Sequence, residues 1–322
     1  MLWCEGDVVY LVTGGTGFLG CYVVRDLLRA GHPVVVFDLM PDARTLALIA
    51  SGANRQVTVV RGDVRSPAEL MAAAKLGALD TIVHLASLLP PETERDAASS
   101  LQQMVQGHIN VLDAARLFDV RRVVWASAPS VFGNPRRFGG TDAEVPNDAP
   151  HYPETLYGIC KSTNERLAEL YRREFNVDSI GLRFCQGYGP GKRRGRPFGY
   201  ELFEKALLGE PYAAPYGDDM MNWQYIEDMA ALVVRACEAP RTETRVFNTT
   251  GDVLSMRDSV ALLKSMLPQA RLEAAPGTMG LAWKYDTAPL EREIGVRGRT
   301  PIRDGFAKTI ATLQHWKAEG LW

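Results

Sequence analysis

The chain is short of the features that mark several protein classes. Its 322 residues include only five cysteines and five histidines. The cysteines (Cys4, Cys21, Cys160, Cys185, Cys237) are scattered, odd in number and form no C-x-x-C pair. That pattern favours reduced thiols in a cytoplasmic protein over a disulfide framework, and it offers no zinc site. His32, His84, His108, His151 and His315 lack metal-ligand spacing, so no metal is expected. No apolar run approaches the length of a bilayer crossing. A net charge of −2 leaves no basic footprint for nucleic acid or a membrane surface. The first strand begins almost at the N-terminus, so no secretory leader is expected. What remains is a soluble globular protein, long enough for one large domain or two modest ones, with a small molecule as its partner.

What is present begins with a dense glycine cluster. Val8–Val12 is apolar and β-branched, which reads as a buried parallel strand. It runs into Thr13–Gly20 (TGGTGFLG), with Gly14, Gly15, Gly17 and Gly20. Cys21–Ala30 then reads as a helix closed by Gly31. Glycines at a strand-to-helix turn let backbone approach a phosphate, and the helix N-terminus favours its charge. A second strand, Pro33–Leu39, carries Asp38 about 20 residues beyond the turn, where an acid would bond ribose hydroxyls. An acid there disfavours a 2′-phosphate, so NAD is expected over NADP, with Arg44 nearby as the opposing sign. An isolated glycine fingerprint could be an ordinary turn; strand, helix and acid together make it a dinucleotide site.

Further strands are expected at Val57–Val64, Asp80–Ala86, Arg122–Ser127 and Ser179–Phe184, with helices near Ala68–Leu76 and Leu101–Phe118. The alternation is a βαβ series, hence an α/β fold of the Rossmann type with a doubly wound parallel sheet. From about Gly187 the texture changes, and prolines punctuate short elements. Residues 1–186 therefore read as the cofactor-binding domain and 187–322 as a smaller substrate-binding lobe. A segment near 245–250 (RVFNT) looks like a strand returning to the sheet.

Tyr157 and Lys161, in YGICK, lie one helical turn apart on one face of a helix expected within Glu154–Phe175. A phenol near pKa 10 is a poor base at neutral pH. A neighbouring ammonium and a cationic nicotinamide would both favour the phenolate, letting tyrosine move a substrate proton while hydride passes. On spacing alone the pair could equally be an ordinary helix surface.

The ordered set of segments decides between these. TGGTGFLG, Asp38, Gly62-Asp63-Val64, His84-Leu85-Ala86, Ser130–Gly133, YGICK, Leu182–Gly191 and Tyr225–Ala230 resemble the extended short-chain dehydrogenase/reductase superfamily, the group of nucleotide-sugar epimerases and dehydratases. The resemblance covers nearly the whole chain. It implies Tyr157 and Lys161 as the catalytic pair, with Lys161 also on the nicotinamide ribose. It implies Gly14, Thr16, Gly17, Phe18 and Leu19 in the phosphate turn, Asp63 and Val64 beside adenine, and Leu85, Ala86 and Ser87 along the cofactor. It also implies a homodimer formed through two helices per subunit, for which Met104–Phe118 and Leu156–Tyr171 are apolar enough.

The sequence departs from that pattern in three places. The family carries a Ser or Thr five residues before the glycine of its V-[YF]-G motif, and here that position is Ala128. Ser127 and Ser130 flank it; either could supply the hydroxyl, Ser127 being preferred, or both could merely cap a strand end. A missing oxyanion donor costs several kcal/mol. Gln186 stands where relatives use Asn for a diphosphate, and Met221 where they use Arg. Methionine cannot neutralise phosphate, which points to a smaller alcohol, hydroxy acid or sugar-type substrate. Within Lys192, Arg193, Arg194 and Arg196, Arg193 is a candidate anion clamp, against a solvated charge run. Trp223 is a candidate substrate wall, or a core aromatic.

The expectation is an NAD-dependent oxidoreductase. A nucleotide-sugar epimerase or dehydratase with tightly held NAD would share the catalytic pair, and Ala128 raises a non-catalytic NAD-binding protein as a third reading.

Overall fold

The computed structural model describes residues 8–50, 57–196, 198–295 and 299–321; Cys4 and Pro197 lie outside them. In chain order the first half forms β1 (Val8–Thr13), α1 (Phe18–Arg29), β2 (Val34–Asp38), α2 (Ala43–Ile49), β3 (Val57–Arg61), α3 (Pro67–Ala74) and β4 (Ala78–His84). Next come α4 (Ala97–Leu101), α5 (Gly107–Leu117), β5 (Arg122–Ser127), α6 (Leu156–Phe175) and β6 (Ser179–Arg183). The second half adds β7 (Gln186–Tyr188), α7 (Phe198–Leu208), β8 (Tyr212–Ala214), β9 (Met220–Tyr225), α8 (Ile226–Glu238) and β10 (Val246–Asn248). The last elements are β11 (Asp252–Ser255), α9 (Met256–Met266), β12 (Leu272–Ala274), α10 (Ala288–Glu293) and α11 (Ile302–Ala318).

Seven strands form one sheet in the order β10-β6-β5-β4-β1-β2-β3. Every neighbouring pair is parallel, and β10 returns from the second half to pair with β6. The fold is Rossmann-like. Alternation along β1 explains both layers: Tyr10 and Val12 join the core with α1 and α8, while Val9 and Leu11 join the core with α3, α5 and α6. The strand order reverses between β1 and β4, which opens a crevice at their carboxyl ends.

Three boundaries differ from expectation, each for a local reason. α1 begins at Phe18, because Gly17 caps it and no polar residue intervenes before Cys21. The strands β3 and β4 stop at Arg61 and His84, so Asp63, Val64, Leu85 and Ala86 lie in loops at the crevice edge. The helix expected across Leu101–Phe118 is broken by a π turn at Gln102–Gln106.

The smaller lobe has two sheets, β11-β9-β7 and β12-β8. Its centre is aromatic: Tyr188, Phe198, Phe203, Trp223 and Phe306 are nearly inaccessible and meet edge to face or stacked. Their cluster is continuous with one face of the large sheet.

Candidate active site

The glycine turn is shaped by contacts that exclude any side chain. Gly14 has φ +68°, and a Cβ there would fall 2.8 Å from the Ala86 nitrogen. A Cβ at Gly20 would fall 2.1 Å from the Gly14 carbonyl oxygen, so α1 packs directly on the turn. The turn thus offers a close, backbone-lined approach at a helix N-terminus, which fits a dinucleotide pyrophosphate. Asp38 ends β2 and faces the same turn: its Oδ2 accepts from the Thr16 amide at 3.1 Å and the Thr16 hydroxyl at 2.7 Å. Arg44 is turned away, donating to the Gly320 carbonyl at 3.1 Å.

The neighbouring loops are tied to β1. Leu85 N–H donates to the Thr13 carbonyl, and Ala86 N–H to the Thr13 hydroxyl at 3.3 Å. The Ser87 hydroxyl donates to the Leu88 carbonyl at 3.0 Å. His84 Nδ1 shares a 2.7 Å hydrogen bond with that Thr13 hydroxyl, and burial pushes its pKa down to about 3, so it is a neutral structural imidazole. Arg65 holds the Asp63 carboxyl below its usual range, and Val64 is buried under Gly107.

Tyr157 and Lys161 both lie in α6, one turn apart. The helix start is fixed by two caps. The Thr155 hydroxyl accepts from Gly158 N–H, and the Glu94 carboxylate accepts from the Leu156 and Tyr157 amides at 3.0 and 3.1 Å. Lys161 Nζ donates to the Ala126 carbonyl of β5 at 2.7 Å and lies 5.5 Å from the Tyr157 ring centroid. Burial pushes the Lys161 ammonium down to about 8. Burial also pushes the Tyr157 phenol above its ordinary value, with Arg196 as the charge that opposes the rise. The lowered phenol pKa expected from spacing is therefore not a property of the protein groups alone: desolvation outweighs the neighbouring charges.

The two serines are in different situations. The Ser127 hydroxyl donates to Glu165 Oε1 at 2.6 Å. Glu165 also receives Arg183 in a bidentate pair at 2.9 and 2.7 Å, and His151 Nε2 lies 3.2 Å away. Hydrogen bonds from Arg183 and His151 hold this carboxyl down at about 2 despite burial. The preference for Ser127 thus meets a hydroxyl already committed to a buried carboxylate. Ser130 Oγ, in contrast, is buried with no hydrogen-bond partner among the described residues. Its turn lies against α6, since a Cβ at Gly158 would fall 2.5 Å from the Ser130 carbonyl oxygen.

Three of the four substrate candidates lie elsewhere. Met221 and Trp223 share the inner face of β9 and are buried, and Trp223 Nε1 donates to the Ser259 hydroxyl at 3.0 Å. Trp223 is a core aromatic rather than an open wall. Arg193 points outward beside Tyr200, Glu204 and Trp316. Gln186 opens β7, with its amide nitrogen 3.5 Å from the Gly187 carbonyl oxygen. Sequence reasoning missed Glu94, Glu165 and Arg183; the i,i+4 step from Lys161 to Glu165 was the available signal for one of them.

The sequence profile of the NAD dependent epimerase/dehydratase family matches residues 10–249. The chain belongs to this family. Among curated relatives, the dTDP-glucose 4,6-dehydratase of Streptomyces griseus is 29% identical over 94% of this chain and 92% of its own length. Among solved structures, MoeE5 in complex with UDP-glucuronic acid and NAD is 25% identical, with a TM-score of 0.81 over 96% of this chain and 99% of that one. The UDP-glucose 4-epimerase of Thermotoga maritima has the same fold at 20% identity, with a TM-score of 0.84 over 95% of this chain and 99% of that one. No helix among the described residues of this epimerase/dehydratase family member is long and apolar enough to cross a membrane.

Proposed function

We propose that this family member moves hydride between the nicotinamide of NAD and a hydroxyl- or carbonyl-bearing carbon of a small alcohol, hydroxy acid or sugar-type substrate, with Tyr157 as the acid/base. The observation that carries this is the Tyr157–Lys161 pair, anchored near the carboxyl end of β5, the same end of the sheet at which β1 runs into the glycine turn. Bound NAD would supply the hydride carrier and, when oxidised, a positive charge. Gly14, Thr16, Gly17, Phe18 and Leu19 would hold its pyrophosphate, and Asp38 its adenosine ribose. Asp63 and Val64 would border the adenine, and Leu85–Ser87 the remaining length.

Tyr157 exchanges a proton with the substrate oxygen. Its half-buried phenol is protonated at rest, which suits it to donate; in the reverse sense the Arg196 guanidinium favours the phenolate, and the Lys161 ammonium lies over the same ring. Ser130 is the hydroxyl best suited to orient that oxygen, because it is buried, uncommitted and packed on the turn beside Tyr157. Ser127 acts one step behind, through Glu165.

A homodimer through α4–α6 is supported by Leu101, Ile159 and Leu170, which are 43%, 44% and 38% exposed. Free thiols at Cys21, Cys160, Cys185 and Cys237 support a cytoplasmic setting.

The second reading is a nucleotide-sugar epimerase or dehydratase, favoured by the substrates named for the relatives. Denaturing the purified protein and assaying released nucleotide separates the two. Little bound NAD with substrate-dependent NADH formation supports net oxidation. Stoichiometric NAD with no NADH released supports the second reading. No NAD binding under either condition overturns both.

A further inference from the structure

On the side of β9 away from Met221 and Trp223 lies a cavity of about 420 Å³, bordered by α1, α8, α10 and α11. Small-molecule sites usually enclose about 300–1,000 Å³. Neither the glycine turn nor Tyr157, Lys161 or Ser130 lines this cavity, so it is separate from the crevice.

One wall is Gln224, which is 5% exposed. Its Oε1 accepts from the Cys185 amide at 2.7 Å and lies 3.0 Å from the Thr249 hydroxyl, which fixes the direction of the amide group. Its Nε2 has no protein partner among the described residues, so two N–H donors are left for the cavity.

Three cations line the same space. Arg235 of α8 donates from Nε and Nη2 to the Gly295 and Ile294 carbonyls beyond α10, at 2.9 and 2.7 Å. Arg299 Nη1 donates to the Gly251 carbonyl at 3.3 Å. Lys308 Nζ of α11 lies 5.7 Å from the Tyr225 ring centroid. Among the described residues, no carboxylate pairs with any of the three. The acids that line the cavity have other donors. Arg25 meets both Asp26 and Glu227 at 2.8 Å. The Thr300 amide and hydroxyl both reach Asp228 at 2.8 Å, and the Thr287 hydroxyl reaches Glu291 at 3.1 Å. What is left over is therefore donors: one amide, two guanidinium forks and one ammonium. Donors without acceptors suit oxygens that carry charge.

We infer that this cavity is a second ligand site, which takes a small polyvalent oxyanion, a polycarboxylate or a phosphate, on Gln224, Arg235, Arg299 and Lys308. It stands apart from the hydride-transfer reading, because none of these residues serves there.

The test is calorimetric titration of the full chain with NAD present at saturation, so that the cofactor's phosphate site is closed. Citrate and inorganic phosphate are the probes. The wild type is expected to bind at least one of them. Lys308→Met and Arg299→Gln, both at exposed positions, are each expected to weaken that probe by about tenfold or more. Gln224→Glu keeps an acceptor for the Cys185 amide but replaces Nε2 with negative charge, and is expected to abolish binding. Binding of phosphate assigns the phosphate class; binding of citrate alone assigns a polycarboxylate. Arg196→Gln, whose charge reaches Tyr157, and Lys264→Gln, on the exposed face of α9, are expected to bind as the wild type does. Three results would overturn the inference: a wild type that binds neither probe, unchanged binding by Lys308→Met or Gln224→Glu, or an equal loss in Arg196→Gln or Lys264→Gln.

Discussion

The Ser127 hydroxyl donates to Glu165 at 2.6 Å, and this bond joins the end of β5 to the helix that carries Tyr157 and Lys161. The residue before Ser127 receives the Lys161 ammonium, so two consecutive positions of β5 set the height of α6. Arg183 adds β6 to the same carboxylate. The Tyr157–Lys161 pair is thus mounted on a buried ionic knot rather than on apolar packing alone.

Breaking that knot from the carboxylate side leaves Arg183 buried and unpaired. Glu165→Gln is expected to lower unfolding stability by about 3–5 kcal/mol. Urea denaturation measures this, and a loss below about 1 kcal/mol, the range of an exposed ion pair, would show that water already compensates Arg183.

The same carboxylate fixes the acid response. Its folded pKa, about 2, lies below the ordinary 4.5. The unfolded chain therefore binds the extra proton first, and the stabilisation is complete above 4.5 and lost as pH falls from there toward 2. Unfolding free energy measured across this window should fall more steeply for the wild type than for Glu165→Gln. Parallel curves would contradict the assignment.

The two serines should separate stability from rate. Ser127→Ala removes a hydrogen bond to a charged acceptor and is expected to cost about 1.5–3 kcal/mol of stability, with NAD affinity unchanged. Ser130→Ala removes a hydroxyl with no protein partner, so stability should hardly change. Its turnover is expected to drop by about 10²–10³, the usual effect of losing one donor to the reacting oxygen. The reverse pattern would exchange their roles.

The glycine turn has no room for a methyl. Gly20→Ala places a Cβ against the Gly14 carbonyl, so either α1 or the turn must shift. NAD affinity measured by titration is expected to fall by about tenfold or more. Unchanged affinity would mean that the turn does not set the pyrophosphate geometry.

Much of this was legible in the residues. The strand–turn–helix at Val8–Arg29 follows from apolar β-branching, glycine and helical periodicity, all local signals. That Tyr157 and Lys161 share one helix face follows from an i,i+4 step, whereas the role expected of them rests on the resemblance to the family. What was not legible depended on direction. Met221 and Trp223 alternate with Asn222 and Gln224 along β9, and only the paired strands show that the first two join the apolar core while the polar two, also buried, bond to Thr250 and Thr249. Ser127 and Ser130 differ by the path of a turn at Pro129. Lys192 and Arg193 are adjacent in sequence yet point to opposite sides of a loop, where no periodicity guides a reader.

The most direct measurement of the central claim is NADH absorbance for the wild type and Tyr157→Phe, with NAD and a panel of sugar acids and nucleotide sugars. A substrate is expected to drive the absorbance change in the wild type. Tyr157→Phe is expected to be slower by about 10²–10⁴ with unchanged NAD binding. A Tyr157→Phe protein that turns over at the wild-type rate would contradict it.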